Sequence, residues 1–104
     1  MSGKTTEPLG PAGKAVVDNI SRLRRERRIS MEMLSELTNK AGRRIPVIGI
    51  RRIERGQRSV PIDDLCVLAE VFGVPPESLY DVKAAESYRL DCLRWLLAEA
   101  EGLR

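Results

Sequence analysis

The chain of 104 residues contains no histidine, only two cysteines, and only four aromatic side chains, Phe72, Tyr80, Tyr88 and Trp95. Without histidine the Ser/His and Cys/His nucleophilic pairings are unavailable, and most zinc geometries lose a ligand they need. The scarcity of aromatics leaves an apolar share of 42% to form an aliphatic core, for which a small helical packing of Leu, Ile, Val and Ala is the natural solution. Cys66 and Cys92 stand inside apolar helical patterns without a close-spaced partner, so they read as reduced core thiols of an intracellular protein rather than a disulfide framework. No apolar run approaches the roughly 18 residues of a membrane span, and the start MSGKTTEPLGPAGK lacks the apolar stretch of a signal peptide. A cytoplasmic chain with no membrane partner is expected, with room for one globular unit and its tails.

Catalytic chemistry finds little support. Asp63-Asp64 lies at a helix start, where the helix dipole accounts for it, and Glu99 and Glu101 read as solvated charges. Neither pair has a glycine-rich phosphate loop or a nucleophile nearby. No catalytic residue, metal ligand or cofactor is expected, and the chain does not read as an enzyme.

What is present is charge, unevenly divided. Residues 1–60 hold 14 Lys/Arg against 6 Asp/Glu, a net +8, and residues 61–104 hold 4 against 9, a net −5, within an overall +3. A basic part beside an acidic part suggests a polyanion-binding face on one side and a solvated or partner-binding face on the other. The alternative is that the arginines merely decorate exposed helix faces.

Periodicity points to helices throughout. Residues 1–12, with two prolines and two glycines, read as a flexible leader. From Lys14, the spacing of Val16, Ile20 and Leu23 predicts a helix to about Arg27. Ser30 is an N-cap for a second helix with Leu34, Leu37 and Ala41 on one face, ending near Gly42. Gly42-Arg43-Arg44-Ile45-Pro46 breaks the pattern, and Pro46 suits the first position of a third helix that turns Ile50 and Ile53 inward and stops at Gly56. Ile62, Leu65, Leu68, Ala69 and Phe72 mark a fourth helix ending at Gly73, and Pro75-Pro76 opens a short fifth ending near Leu79-Tyr80. Residues 82–103 read as a longer terminal helix whose apolar side is Val82, Ala85, Tyr88, Cys92, Trp95, Leu96 and Ala100. With no strand alternation of useful length, the class is all-α. The expected organisation is a leader over 1–12, a five-helix domain over 13–80 and a C-terminal helix over 81–104.

The middle of the chain carries an ordered set of short motifs: Leu23-Arg24-Arg25-Glu26-Arg27-Arg28-Ile29-Ser30, then Leu34, then Ile50-Arg51-Arg52-Ile53-Glu54-Arg55-Gly56, then Leu65-x-x-Leu68-Ala69-x-x-Phe72-Gly73-Val74. Over about residues 14–80 this set resembles the phage-repressor-like, XRE-type helix-turn-helix family, with the five-helix fold of lambda repressor. The chain departs from many members in having extra residues, Asn39 through Ile45, between the second and third helices. That feature, with Ile45-Pro46 before the third helix and Val60-Pro61-Ile62 after it, is similar to an actinobacterial and phage-borne subgroup.

The resemblance implies roles. Double-stranded DNA is the expected partner, and the third helix lies in its major groove, with Val47, Ile48, Arg51, Arg52 and Arg55 facing the base edges. Arg52 is the leading base reader, able to donate two parallel hydrogen bonds to guanine, and Val47 and Ile48 could pack on thymine methyls. Alternatively, the longer turn rotates the helix so that Val47 packs inside. Ser30, Arg43, Arg44, Gln57 and Arg58 are candidate phosphate contacts. Met31 stands where the family frequently has a phosphate-contacting glutamine. Arg24 and Glu54 resemble the family's partially buried ion pair. Members commonly bind as two-fold dimers, and Tyr88, Cys92, Trp95 and Leu96 are the candidate interface. The competing arrangement folds the terminal helix back over its own domain. The functional expectation is a transcriptional regulator, a repressor on a palindromic operator and hence nucleoid-associated. The alternative is a protein-interaction module, an antitoxin or phage protein that engages a toxin or host partner through the terminal helix.

Overall fold

Every regular element among residues 9–102, which the computed structural model describes, is a helix. In order they are α1 (Pro11–Glu26), α2 (Met31–Lys40), α3 (Val47–Glu54), α4 (Ile62–Phe72), α5 (Pro76–Leu79) and α6 (Val82–Gly102). The five-helix arrangement followed by a terminal helix is thus the architecture that the apolar spacing predicts.

Local chemistry explains most boundaries. α1 begins at Pro11 rather than Lys14, because a proline in the first turn forfeits only an amide that has no helical partner. The expected leader therefore overlaps the first helical turn, and its residues 1–8 lie outside the described residues. α1 ends at Glu26, and just beyond its cap Arg28 takes a left-handed φ of 54°, a conformation costly for a side chain with a Cβ. The α2 cap is the expected one: the Ser30 hydroxyl oxygen accepts from the Met33 amide at 3.0 Å.

α2 ends at Lys40, close to the predicted end near Gly42, so Asn39 and Lys40 of the extra residues belong to its last turn. Gly42 then turns the chain at φ 103°. The Arg43 amide returns to the Thr38 carbonyl at 3.0 Å, and the Thr38 hydroxyl accepts from the Ile45 amide at 2.9 Å. These bonds drop Ile45 into the core, where it is buried. Pro46 is the N-cap of α3 and not its first helical residue: its extended ψ of 154° precedes the helix while its carbonyl accepts from the Ile50 amide. Gly56 and Gly73, at φ 69° and 68°, close α3 and α4 as the sequence predicts.

The core gathers Val16, Ile20 and Leu23 of α1, Leu34 of α2, Ile45, Ile50 and Ile53 around α3, Leu65, Leu68 and Phe72 of α4, and Leu79 of α5. It is aliphatic apart from Phe72, over whose ring the Arg27 guanidinium sits 5.8 Å from the centroid. Asn19 is fully buried within α1, and its side-chain amide donates to the carbonyls of Leu79 at 2.9 Å and Asp81 at 3.2 Å. That latch draws the α5–α6 junction onto α1.

α6 has two different halves. Its beginning lies against α1, with Ala85 buried and Arg89 paired to Asp18 at 2.7 Å. Its remainder projects past the domain, leaving Leu90, Leu93, Trp95, Leu96 and Leu97 each more than half exposed. The thiols correct the sequence expectation: Cys66 is on the outer face of α4 and exposed, and Cys92 is only half-buried. The buried side of α4 is made by Asp64, Leu65, Val67, Leu68, Ala69 and Phe72, and at a hundred degrees per residue Cys66 falls on the opposite side.

Candidate nucleic-acid interface

The third helix acquires its orientation from one buried stripe, Gly49, Ile50 and Ile53. At a hundred degrees per residue the opposite side belongs to Ile48, Arg51, Arg52 and Arg55, with Val47 toward one edge. The accessibilities agree: Ile48, Arg52 and Arg55 are exposed, and Val47 and Arg51 are half-buried. Val47 thus lies between the two arrangements that the sequence leaves open, while Ile48, at 52% exposure, stays on the outer face. Three guanidiniums and a branched apolar side chain therefore share one surface of a helix that the domain offers to solvent.

Two largely buried carboxylates anchor the segment that carries that helix. Glu54, at its last turn, receives Arg24 of α1 through two hydrogen bonds, Nε to Oε2 and Nη2 to Oε1, the latter at 2.9 Å. Arg24 also donates from Nη1 to the Ile29 carbonyl at 3.0 Å, so a single guanidinium joins α1, the turn before α2 and the end of α3. Their side chains are 14% and 5% exposed, which makes this a largely desolvated pair. The Arg24 pKa is raised above its ordinary value, first by the hydrogen bond to Glu54.

Asp64 is the second carboxylate, and its local sequence gives no sign of this part. It is buried in the first turn of α4. Its Oδ1 accepts from Arg43 Nε at 2.7 Å and its Oδ2 from Arg58 Nη2 at 2.8 Å. The Arg43 pKa is raised, chiefly by this bond. Two of the expected phosphate contacts are thus tied to one carboxylate across the ends of α3. The helix dipole is a correct but incomplete account of Asp63-Asp64, because only a tertiary fold can bring residues 43, 58 and 64 together. Gly49 lies beside this pairing: a Cβ there would be in ordinary van der Waals contact with Ile45 at 3.4 Å and with Arg58 Nη1 at 3.7 Å.

The other expected contacts are open to solvent. Ser30 at the start of α2, Arg44 before α3 and Gln57 after it are exposed. Met31 instead packs against the core, so it is engaged as a hydrophobe. Of the expected interface residues on α6, Tyr88 and Cys92 are half-buried, whereas Trp95 and Leu96 are exposed. The Tyr88 phenol has its pKa raised, first by burial and then by the neighbouring Cys92 thiol, against a smaller opposing effect of Arg25. Folding back and offering a free apolar surface are therefore not exclusive: the first half of α6 does one and the second half does the other.

No helix among the described residues is long and apolar enough to cross a membrane. The model of the family described as helix-turn-helix matches residues 20–79, from the middle of α1 to the end of α5. Comparison with curated proteins and with solved structures found no match.

Proposed function

The chain belongs to this DNA-binding helix-turn-helix family, and from that premise we propose that it is a sequence-specific transcriptional regulator, a repressor that occupies a palindromic operator as a homodimer. The observation that carries the reading is the outer face of α3, where Arg51, Arg52 and Arg55 share one side of a helix held by Ile50 and Ile53. In this reading α3 enters the major groove and α2 crosses the backbone beside it. Arg52 reads a guanine through paired donors to O6 and N7, and Ile48 packs on a thymine methyl, with Val47 at the margin of that contact. Arg51 and Arg55 reach further base edges along the groove.

Register comes from the surrounding phosphates. Arg44 and Gln57 contact the backbone on either side of α3, and Ser30 offers its hydroxyl and the neighbouring α2 amides to a phosphate. Arg43 and Arg58 approach the same strands from their anchor on Asp64. A dimer formed through the projecting half of α6, with Trp95 and Leu96 at its centre and Tyr88 and Cys92 at its base, would present two α3 helices to successive major grooves. An actinobacterial or phage source fits the motif set.

Mutation separates the two kinds of contact. Arg52→Ala is expected to relax preference at one base position, at about 1–3 kcal/mol of discrimination, whereas Arg44→Ala weakens binding evenly on all sequences and flattens the salt dependence by about one unit. Competition binding on a panel of single-base variants of a selected duplex reads both. Equal losses on every sequence for both variants would contradict the division of roles.

The exposed leucines of α6 favour a second reading, a protein-interaction module in which this helix engages a toxin or host protein. Antitoxins that repress their own operon would satisfy both readings, and a stable partner recovered with the intact chain would favour the second.

A further inference from the structure

A carboxylate held in a protein's interior by two arginines on either side of a recognition helix can do more than stabilise. Arg43 precedes α3, Arg58 follows it, and both pair with Asp64 in the first turn of α4, so the three charges form a clasp that ties the two ends of the segment carrying the helix. The clasp is tight on the protein side, where the Asp64 side chain is 10% exposed, and open on the outer side, where that of Arg43 is 52% exposed. Arg43 uses Nε on Asp64, which leaves both of its terminal amines for solvent or a phosphate. Arg58 uses Nη2, and its Nη1 lies over Gly49 in the buried stripe of α3.

We propose that Asp64 is a positioning residue that sets sequence specificity, resting on the DNA-binding reading above. Its carboxylate fixes α3 in place before DNA arrives, and it restrains two guanidiniums that would otherwise seek phosphates indiscriminately. Two opposed effects follow from its charge. With Asp64 ionised, the three groups together present one positive charge and a fixed geometry. With the carboxylate removed, they present two positive charges on side chains free to swing, which strengthens attraction to any duplex while loosening the helix that reads bases. Specificity, the difference between those affinities, falls from both directions.

The experiment compares the full-length wild-type chain with Asp64→Asn, using a random-sequence duplex and the duplex most enriched by the wild type from a random library, across a salt series. For Asp64→Asn the proposal expects tighter binding to the random duplex, a salt dependence steeper by about one unit, and a ratio of selected to random affinity lower by about tenfold. Loss of structure alone would weaken both duplexes by one factor and leave the slope unchanged, so that pattern in a folded variant overturns the proposal. Should Asp64→Asn fail to fold, Arg43→Gln decides, since Arg43 is largely exposed and Asp64 keeps Arg58. Selective loss on the selected duplex supports the clasp, and equal loss on both duplexes makes Arg43 a phosphate contact only and overturns it. A wild-type chain with no preference between the duplexes instead defeats the DNA-recognition reading on which the proposal rests.

Discussion

Glu54 and Arg24 show how a single ion pair can decide whether a helix is held. Glu54 is 5% exposed in its side chain, and removal of its carboxylate leaves the Arg24 guanidinium poorly solvated between α1 and α3. Glu54→Ala is therefore expected to destabilise the chain by about 3–5 kcal/mol, measured by chemical denaturation, whereas a loss below about 1 kcal/mol would mean that the pair behaves like a solvated one. The pair entered the sequence analysis only through family resemblance, because nothing in the local spacing of residues 24 and 54 brings them together. Ile50 and Ile53 were legible directly, as an apolar stripe on a short helix between a proline and a glycine. Asp64 and Asn19 were not legible at all. A polar side chain in a helical pattern reads as solvent-facing, and only the assembled fold supplies the two arginines of the one and the carbonyls of the other.

Among the helices, α6 departs most from its expected simplicity. A continuous apolar side from Val82 to Ala100 suggested one surface with one fate, but α6 runs past α1 and only its first half finds a neighbour. The boundary between the halves depends on where α1 crosses, which periodicity cannot show. Tyr88, close to that boundary, provides a titratable probe of the docking. Its pKa in the folded chain is raised above the ordinary tyrosine value of about 10, so the contribution of the neutral phenol to docking is fully present below that value and is lost as pH rises through the higher folded value. Amide exchange or near-ultraviolet dichroism should show α6 loosening from α1 above about pH 10 in the wild type, with a weaker pH dependence in Tyr88→Phe. An identical alkaline response in both chains would show that the phenol plays no part. The turn before α3 illustrates the same point on a smaller length: Gly42 announced a break, but the Thr38 hydroxyl that receives the Ile45 amide sets how long the break is.

The assembled molecule gathers basic charge around α3, a concentration visible in the sequence before any helix is placed, while α6 itself, with three basic and four acidic side chains, is nearly neutral. On either reading of α6 its projecting leucines and Trp95 are the surface offered for protein contact. On the dimer reading, sedimentation of the wild-type chain gives a dimer, and Trp95→Glu or Leu96→Glu gives a folded monomer with weakened operator binding, since two half-sites no longer act together. Wild-type monomers at concentrations that saturate DNA would move α6 to the partner-binding reading. The central claim is that the face of Arg51, Arg52 and Arg55 reads sequence. Its most direct test is selection by the full chain from random duplex DNA at about 0.15 M salt, where screening suppresses weak general attraction. The account predicts an enriched inverted repeat whose half-sites lie about ten base pairs apart, centre to centre. Recovery of no motif, with binding that fades steadily as salt rises, would contradict it and reduce the basic surface to a general polyanion-binding face.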